Sequence, residues 1–563
     1  MLNDLMTTAG ENLKGIPWTV YPRPQMKRSS YLNLNGAWDF SVNYENMGQI
    51  CVPFCPESKL SYIGKHYDEG SLLCYSRRFR LEEGFDKGRV ILHIGAADQR
   101  ADVFVNGKPV GIHTGGYEAF SVDITDHLKE ENNLQICCFD DLEDQTYPYG
   151  KQVLPEKRGG MWYTPVSGIW QTVWLESVPE TYIEKLHIEN RGYSVKISIE
   201  PALQGTVSVA GLGSFELADG TVTITPDDPH LWSPEDPYLY DFTVEAGEDS
   251  IASYFAIRSL EIKKVGQYPR LCLNGKPYFF HGLLDQGYWP DGLFTPATPE
   301  CYADDILMMK KLGFNTLRKH IKVEPEEFYY QCDKLGMIVW QDMVNNSDYN
   351  FLRDTALPTV GIQKLSDQNL HSDAVSRKRF LAGMEATVKQ LKNHPCICYW
   401  TIFNEGWGQF DSDSVYEQFR LLDDTRFIDT TSGWFRRKKT DVDSRHVYFR
   451  KVKLTGDGAK PLVLSEFGGK TYRVENHIFN PDKSYGYGGC DSLEGLNEAV
   501  VKLYTDEILP CVKNGLCAAI YTQVSDVEDE INGLVTYDRK VEKMDPEKLL
   551  PVAAALQTAV SEK

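Results

Sequence analysis

The sequence predicts three domains in a row: a jelly-roll β-sandwich over residues 1–180, a smaller immunoglobulin-like β-sandwich over residues 181–265, and a (β/α)8 barrel over residues 266–563. Three observations predict this order. The length of 563 residues suits about three or four domains. Short strands separated by turn residues fill the first half of the chain, and strands alternate with helical stretches in the second half.

The first domain is predicted from short apolar runs divided by Gly, Pro and Asp. Residues 89–94 form one such run, and residues 101–110 contain two more with Asn106-Gly107 between them. Asn-Gly predicts a two-residue hairpin turn, because both central positions of a type I′ turn need positive φ. Many short strands without a helical period are typical of an antiparallel sandwich or jelly roll.

The second domain continues the strand pattern over a shorter segment. Residues 195–199 and 221–224 alternate between apolar and polar side chains, as half-buried strands do. Several prolines between residues 226 and 237 mark turns and irregular edges near its end. This pattern predicts an immunoglobulin-like sandwich, and helical spacing begins soon after residue 265.

The third domain is predicted from helices that alternate with apolar runs. One helix begins at Thr298 and Pro299 and ends before Gly313. Alternation of this kind gives parallel βα units, and eight units predict a closed barrel. A doubly wound open sheet is the alternative, but residues 281–285 lack the Gly-rich phosphate turn that it needs. The eight predicted strands are residues 278–280, 314–317, 337–340, 396–403, 426–428, 446–449, 462–464 and 517–522.

Composition and charge exclude several functional classes. Lys and Arg total 59 against 80 Asp and Glu, a net charge of −21, whereas nucleic-acid binding needs a basic face. No apolar run approaches the ~18 residues of a membrane span. The N-terminus shows no basic stretch followed by an apolar core, so no secretory signal is expected.

The 13 cysteines lie mostly alone in apolar runs, such as residues 134–139. An odd number of scattered cysteines predicts buried free thiols in a reducing compartment rather than a disulfide framework. The alternation Cys396-Ile397-Cys398 is one face of a strand, because the second pair of ligands for a metal site is missing. We therefore predict a cytoplasmic protein.

Two acidic residues directly follow apolar runs of the predicted barrel, where the carboxyl ends of the strands form the active-site face. Residues 398–403 lead into Asn404-Glu405, and residues 461–465 lead into Glu466. By strand count these are the fourth and seventh strands, so two carboxylates point into one mouth from opposite sides. Each glutamate could otherwise cap its strand or pair with a surface lysine.

This order of domains, with Asn-Glu after the fourth barrel strand and Glu after the seventh, resembles glycoside hydrolase family 2. That family includes β-galactosidases, β-glucuronidases and β-mannosidases. The resemblance extends over almost the whole chain, and the combination is specific although each fragment alone is weak. The matching segments are Leu-Asn-Leu-Asn-Gly-Ala-Trp-Asp-Phe at 32–40, Val-Ser-Gly-Ile-Trp-Gln at 166–171, Asn-Gly-Lys-Pro at 274–277 and Gly-Phe-Asn-Thr-Leu-Arg at 313–318.

The resemblance implies hydrolysis by double displacement with net retention. Glu466 would be the nucleophile and Glu405 the general acid and then the general base, which needs carboxyl groups about 5–5.5 Å apart. Arg318, at the end of the second strand, would keep Glu466 charged, and burial would raise the pKa of Glu405. Asn404 would hydrogen-bond the 2-hydroxyl of the sugar.

Five further residues follow strand ends and are weaker candidates for substrate binding. Tyr448 resembles the family tyrosine that contacts the nucleophile, although tyrosine in an apolar run also suits a core. Trp434 and Trp407 could stack on a sugar ring, and large aromatics fill cores equally well. Asp285 and His320 follow the first and second strands and could contact sugar hydroxyls, and a plain turn role is the alternative for Asp285.

The acidic run at residues 526–530 follows the predicted eighth strand and Gln523. Its carboxylates could hold a cation with oxygen ligands, or the run could be a solvated loop. We expect that no cofactor is required, and a structural Mg²⁺, Ca²⁺ or Na⁺ ion is left open.

The chain departs from its relatives in residues that would choose the sugar. Residues 283–288 lack the histidines of family β-galactosidases, and residues 533–540 lack the Asn-x-Lys element of family β-glucuronidases. Lys319, Lys322 and residues 436–439 add positive charge after strand ends, which could serve an anionic sugar such as a uronate. A solvated basic loop paired with surface acids is the alternative.

We predict an exo-acting β-galactosidase-like enzyme for a small carbohydrate, with a β-galacturonide as a second glycone and a glucuronide or mannoside as alternatives. A rival from another class is a carbohydrate-binding protein with an inactive barrel, but binding alone needs neither an acid nor a nucleophile. A metal-dependent hydrolase is the third reading, and the chain has no His-x-His or His-Glu-x-x-His. No nucleic-acid or membrane partner is expected, and a homo-oligomer is left open.

Overall fold

Two β-sandwiches precede a barrel of eight parallel strands, which confirms the predicted fold class. The structure is a computed structural model, and it describes residues 2–359, 361–362 and 367–562. None of the helices within these ranges is long and apolar enough to cross a membrane.

The first sandwich packs a six-stranded antiparallel sheet against a four-stranded one. Asn106 (φ 52°) and Gly107 (φ 76°) form the predicted hairpin turn. The facing sides of the sheets bury a core that includes Trp38, Tyr75 and Leu92. The strands in spatial order are Glu45–Val52, Gly36–Val42, Leu72–Phe79, Asn132–Phe139, Arg100–Val105 and Lys108–Thr114, then Tyr31–Asn33, Val173–Val178, Arg89–Ile94 and Phe120–Asp123, with a separate pair Gly168–Ile169 and Ala97–Asp98.

Two cysteines are paired within this sandwich. Cys74 and Cys137 lie directly opposite each other on neighbouring antiparallel strands and form a disulfide. The other eleven cysteines are free, and all but Cys490 are buried. The prediction of free thiols is therefore correct for eleven cysteines and wrong for this pair, because the spacing of cysteines along the chain does not reveal the register that joins them.

The second sandwich packs a three-stranded antiparallel sheet against a four-stranded one. Val195, Ile197 and Ile199 point inward from one strand into a core shared with Val207 and Val244. A small antiparallel sheet then leads into the barrel. The strands are Lys185–Arg191, Ser194–Glu200 and Thr221–Ile224, then Gly213–Leu217, Gly205–Val209, Tyr240–Ala246 and Asp249–Phe255, and in the lead-in sheet Leu260–Val265, Tyr268–Leu273 and Lys276–Pro277.

The barrel contains all eight predicted strands, in the hydrogen-bonded order 5-4-3-2-1-8-7-6, and every pairing is parallel. The described residues of the fifth and sixth strands form no ladder, and the backbone N–H of Asp441 instead donates to Ile428 O at 3.0 Å across this seam. The strands β1 to β8 are Phe280–Asp285, Thr316–Lys319, Ile338–Asp342, Ile397–Asn404, Phe427–Ser432, Asp443–Val447, Leu462–Phe467 and Leu516–Tyr521.

Two strands are displaced from their predicted positions. The backbone N–H of Tyr278 donates to Leu271 O at 3.1 Å in the lead-in sheet, so β1 begins after it. The strand β6 begins at Asp443, earlier than predicted. The prediction missed its first half because those residues are polar, and Arg445 pairs there with Asp443 at 2.8 Å. A polar half-strand of this kind gives no apolar run from which to predict it.

The helices pack outside the barrel strands. The first barrel helix begins at Glu300, after Pro299 and without a side-chain cap, so the predicted start at Pro299 is one residue early and Thr298 does not cap the helix. Gly336, with φ 74°, ends the second. The helices are Thr8–Asn12, Glu300–Lys311, Glu326–Leu335, Leu357–Thr359, Ala374–Leu391, Ser412–Leu422, Leu493–Leu503, Leu509–Lys513 and Pro546–Ser561, with 3-10 turns at Lys59–Ser61, Thr125–His127 and Pro155–Lys157 and π turns at Leu352–Ala356 and Tyr504–Ile508.

Candidate active site

The ends of β4 and β7 place two glutamates at the same mouth of the barrel. Glu466 lies within β7, and Glu405 directly follows β4 with a φ of 53°. The next residue, Gly406, has φ 83°, and a Cβ there would lie 2.4 Å from the ring of Phe435. Glycine is therefore required for the turn that carries Glu405. Both glutamates are buried, with only 9% of Glu405 and 5% of Glu466 exposed.

The two carboxyl groups are close enough to act on one bond. One oxygen of each lies within 4.8 Å of the other and of a ring nitrogen of His446. The Nδ1 atom of His446 is 2.7 Å from Glu405 Oε1 and 3.6 Å from Glu466 Oε2. Retaining glycosidases place their carboxyl groups about 5–5.5 Å apart, whereas inverting ones need about 6.5–9.5 Å to admit a water. The observed spacing fits direct attack by one carboxylate.

The same three side chains are, among the residues that the structure describes, the one group arranged to share a metal ion. A guanidinium nitrogen of Arg318, Nη1, lies 3.0 Å from Glu466 Oε1 and 3.4 Å from His446 Nε2. This permanent positive charge disfavours a cation at the same place. The chemistry of the cluster is therefore better suited to acid–base and nucleophilic roles than to metal binding.

Glu466 is surrounded by groups that favour its ionised form. Arg318 pairs with Oε1 at 3.0 Å, and the hydroxyl of Tyr448 donates to Oε2 at 2.8 Å. Burial raises the pKa of Glu466, and the Arg318 charge and the Tyr448 hydrogen bond act in the opposite direction. A buried carboxylate held by a cation and a donor is the form that a nucleophile needs.

Glu405 has a different environment, and burial raises its pKa to about 7. The charges of Lys151 and Arg318 offset part of this effect, but neither cation contacts its carboxyl group. Below about pH 7 the protonated form therefore dominates. The two environments separate the roles of the glutamates as an acid and a nucleophile require.

Arg318 links several polar side chains of the site through its guanidinium group. It is fully buried, and its Nε donates to Asp342 Oδ1 at 3.0 Å while Nη2 donates to Asn404 Oδ1 at 2.8 Å. This hydrogen bond from Arg318 to the Asn404 side-chain oxygen fixes the orientation of the amide, and the amide nitrogen donates to none of the described residues. A sugar hydroxyl is a suitable acceptor for that free N–H group.

The structure brings several of the predicted residues to one pocket above the barrel. His320, Trp434 and Tyr448 line it together with Glu405 and Glu466. The indole N–H of Trp434 donates to the carbonyl of Glu405 at 3.0 Å. Burial lowers the pKa of His320 to about 3, so this ring is neutral and offers hydrogen bonds rather than charge.

Trp407 is buried beside the pocket rather than lining it. Its ring stacks on Trp162 of the first sandwich, with the ring centres 5.2 Å apart. Only 2% of Trp407 is exposed. The packing role that the sequence left open is therefore the one observed.

The structure places Asp285 and Lys319, both predicted to bind the substrate, outside the lining of the pocket that holds the two glutamates. The Lys319 ammonium pairs with Asp285 at 2.6 Å and with Glu324 at 2.9 Å, and neither Asp285 nor Lys319 lines the pocket. Lys322 pairs with the same Glu324 at 2.9 Å and donates to two backbone carbonyls. These charges are satisfied within the protein, so they are not available to an anionic sugar.

The basic run at 436–439 does not line the pocket, and Arg436, Arg437 and Lys439 of this run pair with protein acids. Arg436 pairs with Asp443 at 2.7 Å, and Lys439 pairs with Glu417 at 2.6 Å. The alternative of a surface loop neutralised by nearby carboxylates is therefore the one that the structure supports.

The acidic run at 526–530 is buried, so the solvated loop is wrong. Glu528 accepts a hydrogen bond from the backbone of Thr164 at 2.9 Å and pairs with Arg158 at 3.1 Å. The hydroxyl of Tyr163 hydrogen-bonds another carboxylate of the run. These contacts anchor a loop of the first sandwich, residues 150–164, onto the barrel beside the pocket.

Sequence reasoning missed several pocket residues with polar side chains, among them His446, Lys151 and Glu530. His446 lies inside a predicted strand, and its alternation with the apolar Val447 was the available signal that it faces inward. Lys151 belongs to the first sandwich, where no pattern relates it to the barrel. Glu530 lies in the acidic run, whose burial depends on contacts with a distant part of the chain.

Three models of one enzyme family match successive parts of the chain. The model for the sugar binding domain of Glycosyl hydrolases family 2 matches residues 64–179, the model described as Glycosyl hydrolases family 2 matches residues 180–258, and the model for the TIM barrel domain of that family matches residues 264–472.

Curated relatives include two glycosidases. A β-galactosidase of Thermoanaerobacter pseudethanolicus is 25% identical over 81% of this chain and 63% of its own length. A β-glucuronidase of Bacteroides fragilis is 24% identical over 66% of this chain and 56% of its own length. The chain thus spans about three fifths of the length of these relatives.

Solved structures with the same fold match over nearly their full length. A β-D-glucuronidase of Dictyoglomus thermophilum has a TM-score of 0.72 at 20% identity, covering 96% of this chain and 99% of that one. A β-galacturonidase of Eisenbergiella tayi, bound to galacturonate, has a TM-score of 0.67 at 20% identity, also covering 96% and 99%. These likenesses support the same three-domain fold.

Proposed function

The chain belongs to glycoside hydrolase family 2, and from that premise we propose that it is a retaining exo-β-glycosidase that removes terminal β-galactoside or β-uronide residues. Glu466 acts as the nucleophile and Glu405 as the acid and base. A single observation carries this assignment: two buried carboxyl groups approach within 4.8 Å at the mouth of the barrel, one held by Arg318 and the other free of it.

In the first step, the Glu466 carboxylate attacks the anomeric carbon of the glycone while the Glu405 carboxylic acid gives its proton to the departing glycosidic oxygen. The bond between the anomeric carbon and that oxygen breaks, and a glycosyl ester forms on Glu466. The amide N–H of Asn404 would hydrogen-bond the 2-hydroxyl, an interaction that strengthens as positive charge develops on the ring.

In the second step, Glu405 is now a carboxylate and removes a proton from water as the water attacks the anomeric carbon. The ester to Glu466 breaks, and the sugar leaves with its original configuration. Arg318 and Tyr448 then hold the restored Glu466 carboxylate, at 3.0 Å and 2.8 Å. The proposed reaction uses protein side chains alone and requires no cofactor.

The test is hydrolysis of the 4-nitrophenyl β-glycosides of galactose, galacturonic acid, glucuronic acid and mannose, with Glu466→Gln as the matched control. We expect turnover of at least one substrate by the wild type and none by Glu466→Gln. Proton NMR of the first-formed sugar should show the β-anomer. An α-anomer would exclude retention, and no turnover of any β-glycoside would reject the enzyme assignment.

The same experiment decides against the carbohydrate-binding alternative. Glu466→Gln should keep its affinity for the sugar product while losing activity, since the substitution removes only the nucleophile. Sugar affinity without any turnover by the wild type would favour the binding protein. A glucuronide or a mannoside as the preferred substrate would place the enzyme among the alternative glycones.

The cytoplasmic location remains a prediction. The eleven free cysteines support it, and the Cys74–Cys137 disulfide opposes it. Measuring the thiol content of protein isolated under non-reducing conditions would show which state the chain adopts in its own cell.

A further inference from the structure

We propose that Lys151 of the first sandwich binds the carboxylate of an acidic glycone, so that the substrates of this enzyme are β-uronides rather than neutral β-galactosides. This inference rests on the proposed function and names the substrate class of the same pocket. It assigns the choice of sugar to a residue outside the barrel.

Lys151 is an unpaired cation in the pocket wall. Only 7% of its surface is exposed, and its ammonium group makes no hydrogen bond or ion pair with any residue that the structure describes. Arg450, an exposed residue at the rim, is the other permanently charged cation that lines the pocket. The histidines of the lining are neutral, because burial lowers the pKa of His320 to about 3 and that of His446 to about 4.

Other buried lysines of this chain have carboxylate partners. Lys543 pairs with Asp526 at 2.6 Å, Lys319 with Asp285 at 2.6 Å, and Lys322 with a buried glutamate at 2.9 Å. An ammonium group removed from water is costly unless an anion or several acceptors replace its hydration. Lys151 lacks the partner that its buried counterparts have, and a ligand in the pocket would supply it.

The position of Lys151 is fixed by the packing of its loop against the barrel. A Cβ on the preceding Gly150 would lie 2.9 Å from Ile321 O, so the backbone approaches closely there. The N–H of Tyr163 donates to Lys151 O at 3.1 Å, and the Lys151 ammonium lies 5.1 Å from the ring centre of Trp407. A cation over an aromatic face is held in place without being neutralised.

The ammonium group lies near enough to the catalytic pair to influence a bound sugar. Its charge lowers the pKa of both Glu405 and Glu530, whose carboxyl groups line the same pocket, yet it contacts neither. Burial raises the pKa of both carboxyl groups, which limits the negative charge that faces Lys151. A substrate carboxylate on the sugar ring would therefore meet a cation whose charge is not cancelled.

The lysines and arginines expected from the sequence to bind an anionic sugar are all committed elsewhere. Lys319 and Lys322 are in the buried ion cluster, and residues 436–439 do not line the pocket. The late-barrel Asn-x-Lys element is also missing from residues 533–540. Lys151 is thus the buried cation that remains for this role.

The test compares Lys151→Met with the wild type on 4-nitrophenyl β-galacturonide, β-glucuronide and β-galactoside. Lys157→Met, an exposed lysine of the same segment, is the matched control. We expect the wild type to prefer a uronide, and Lys151→Met to lose about 10- to 100-fold in kcat/KM on that uronide, the scale of one charged hydrogen bond. Turnover of the galactoside should change little when it is measured about two pH units below the Glu405 pKa of about 7, where the acid stays protonated in both proteins. Lys151→Arg should retain part of the uronide activity.

Three results would overturn the inference while leaving the proposed function in place. One is a wild type that prefers the galactoside, and another is an equal loss on all substrates in Lys151→Met. The third is a shift of the pH profile with no change in the ratio of uronide to galactoside activity, which would show that Lys151 serves only to lower the pKa of Glu405.

A binding measurement keeps the inference testable if the variant does not fold or if no substrate is turned over. Calorimetric titration of the wild type with galacturonate and with galactose should show tighter binding of galacturonate, and the difference should shrink at high salt. Equal affinities would overturn the role of Lys151, whereas failure of the proposed function would appear separately, as the absence of hydrolysis.

Discussion

Raising the pH should inactivate this enzyme through a single group, Glu405. Burial raises the pKa of Glu405 to about 7, and the protonated form must donate to the leaving group. The active form is thus present below this pKa and is lost as the pH rises through it. About half of the enzyme is protonated at pH 7, about a tenth at pH 8 and about a hundredth at pH 9.

The assay is kcat/KM for two aryl glycosides of one sugar, measured between about pH 5 and pH 9. The phenyl glycoside needs a proton on its departing oxygen, so its kcat/KM should fall tenfold for each pH unit above about 7. The dinitrophenyl glycoside releases a stable phenolate without a proton from Glu405, so its kcat/KM should stay nearly constant over the same range.

The matched variant for this experiment is Glu405→Gln. It should lose about 10²- to 10⁴-fold on the phenyl glycoside, and the alkaline fall should vanish with it. An alkaline limb near the ordinary carboxyl pKa, or a limb that survives in Glu405→Gln, would refute the assignment of the acid.

Three further outcomes are expected. Glu466→Ala should lower kcat by at least about 10⁴-fold with little change in the thermal unfolding midpoint, and a smaller loss would exclude it as the nucleophile. His446→Phe removes the ring nitrogen 2.7 Å from Glu405, so the Glu405 carboxylate loses a hydrogen-bond partner and the alkaline limb should move to higher pH. In His446→Asn the alkaline limb should lie between those of the wild type and the phenylalanine variant. An unchanged limb in the phenylalanine variant would show that the histidine only fills space. Lys543→Met leaves a buried carboxylate unpaired and should cost about 3 kcal/mol in urea unfolding; the exposed Lys540→Met should cost less than about 1 kcal/mol, and equal losses would contradict the argument.

The barrel could be predicted because its strands appear in the sequence as apolar runs with helical stretches between them. The same logic located Glu405 and Glu466, since residues that directly follow such runs must face the carboxyl end of the barrel. Arg318 followed from the family resemblance, and its contacts with Glu466 and Asn404 agree with that role. These features depend on local sequence and on one topological rule.

The pairing of charges could not be predicted in the same way. The sequence predicts Lys319 and residues 436–439 near an anionic sugar, but Lys319 and Arg436 each pair with a carboxylate that folding brings close. A lysine gives no local sign of whether its partner is a protein acid or a ligand. The position of Lys151 could not be predicted either, because nothing in its own segment indicates that it lies beside the catalytic pair.

The wall of the pocket formed by residues 150–164 is encoded far upstream of the strands that carry the two glutamates. In the proposed roles, bond cleavage and the selection of the sugar thus depend on separate segments of the chain. Exchange of this upstream loop could therefore change the glycone that the enzyme accepts while its reaction centre stays intact.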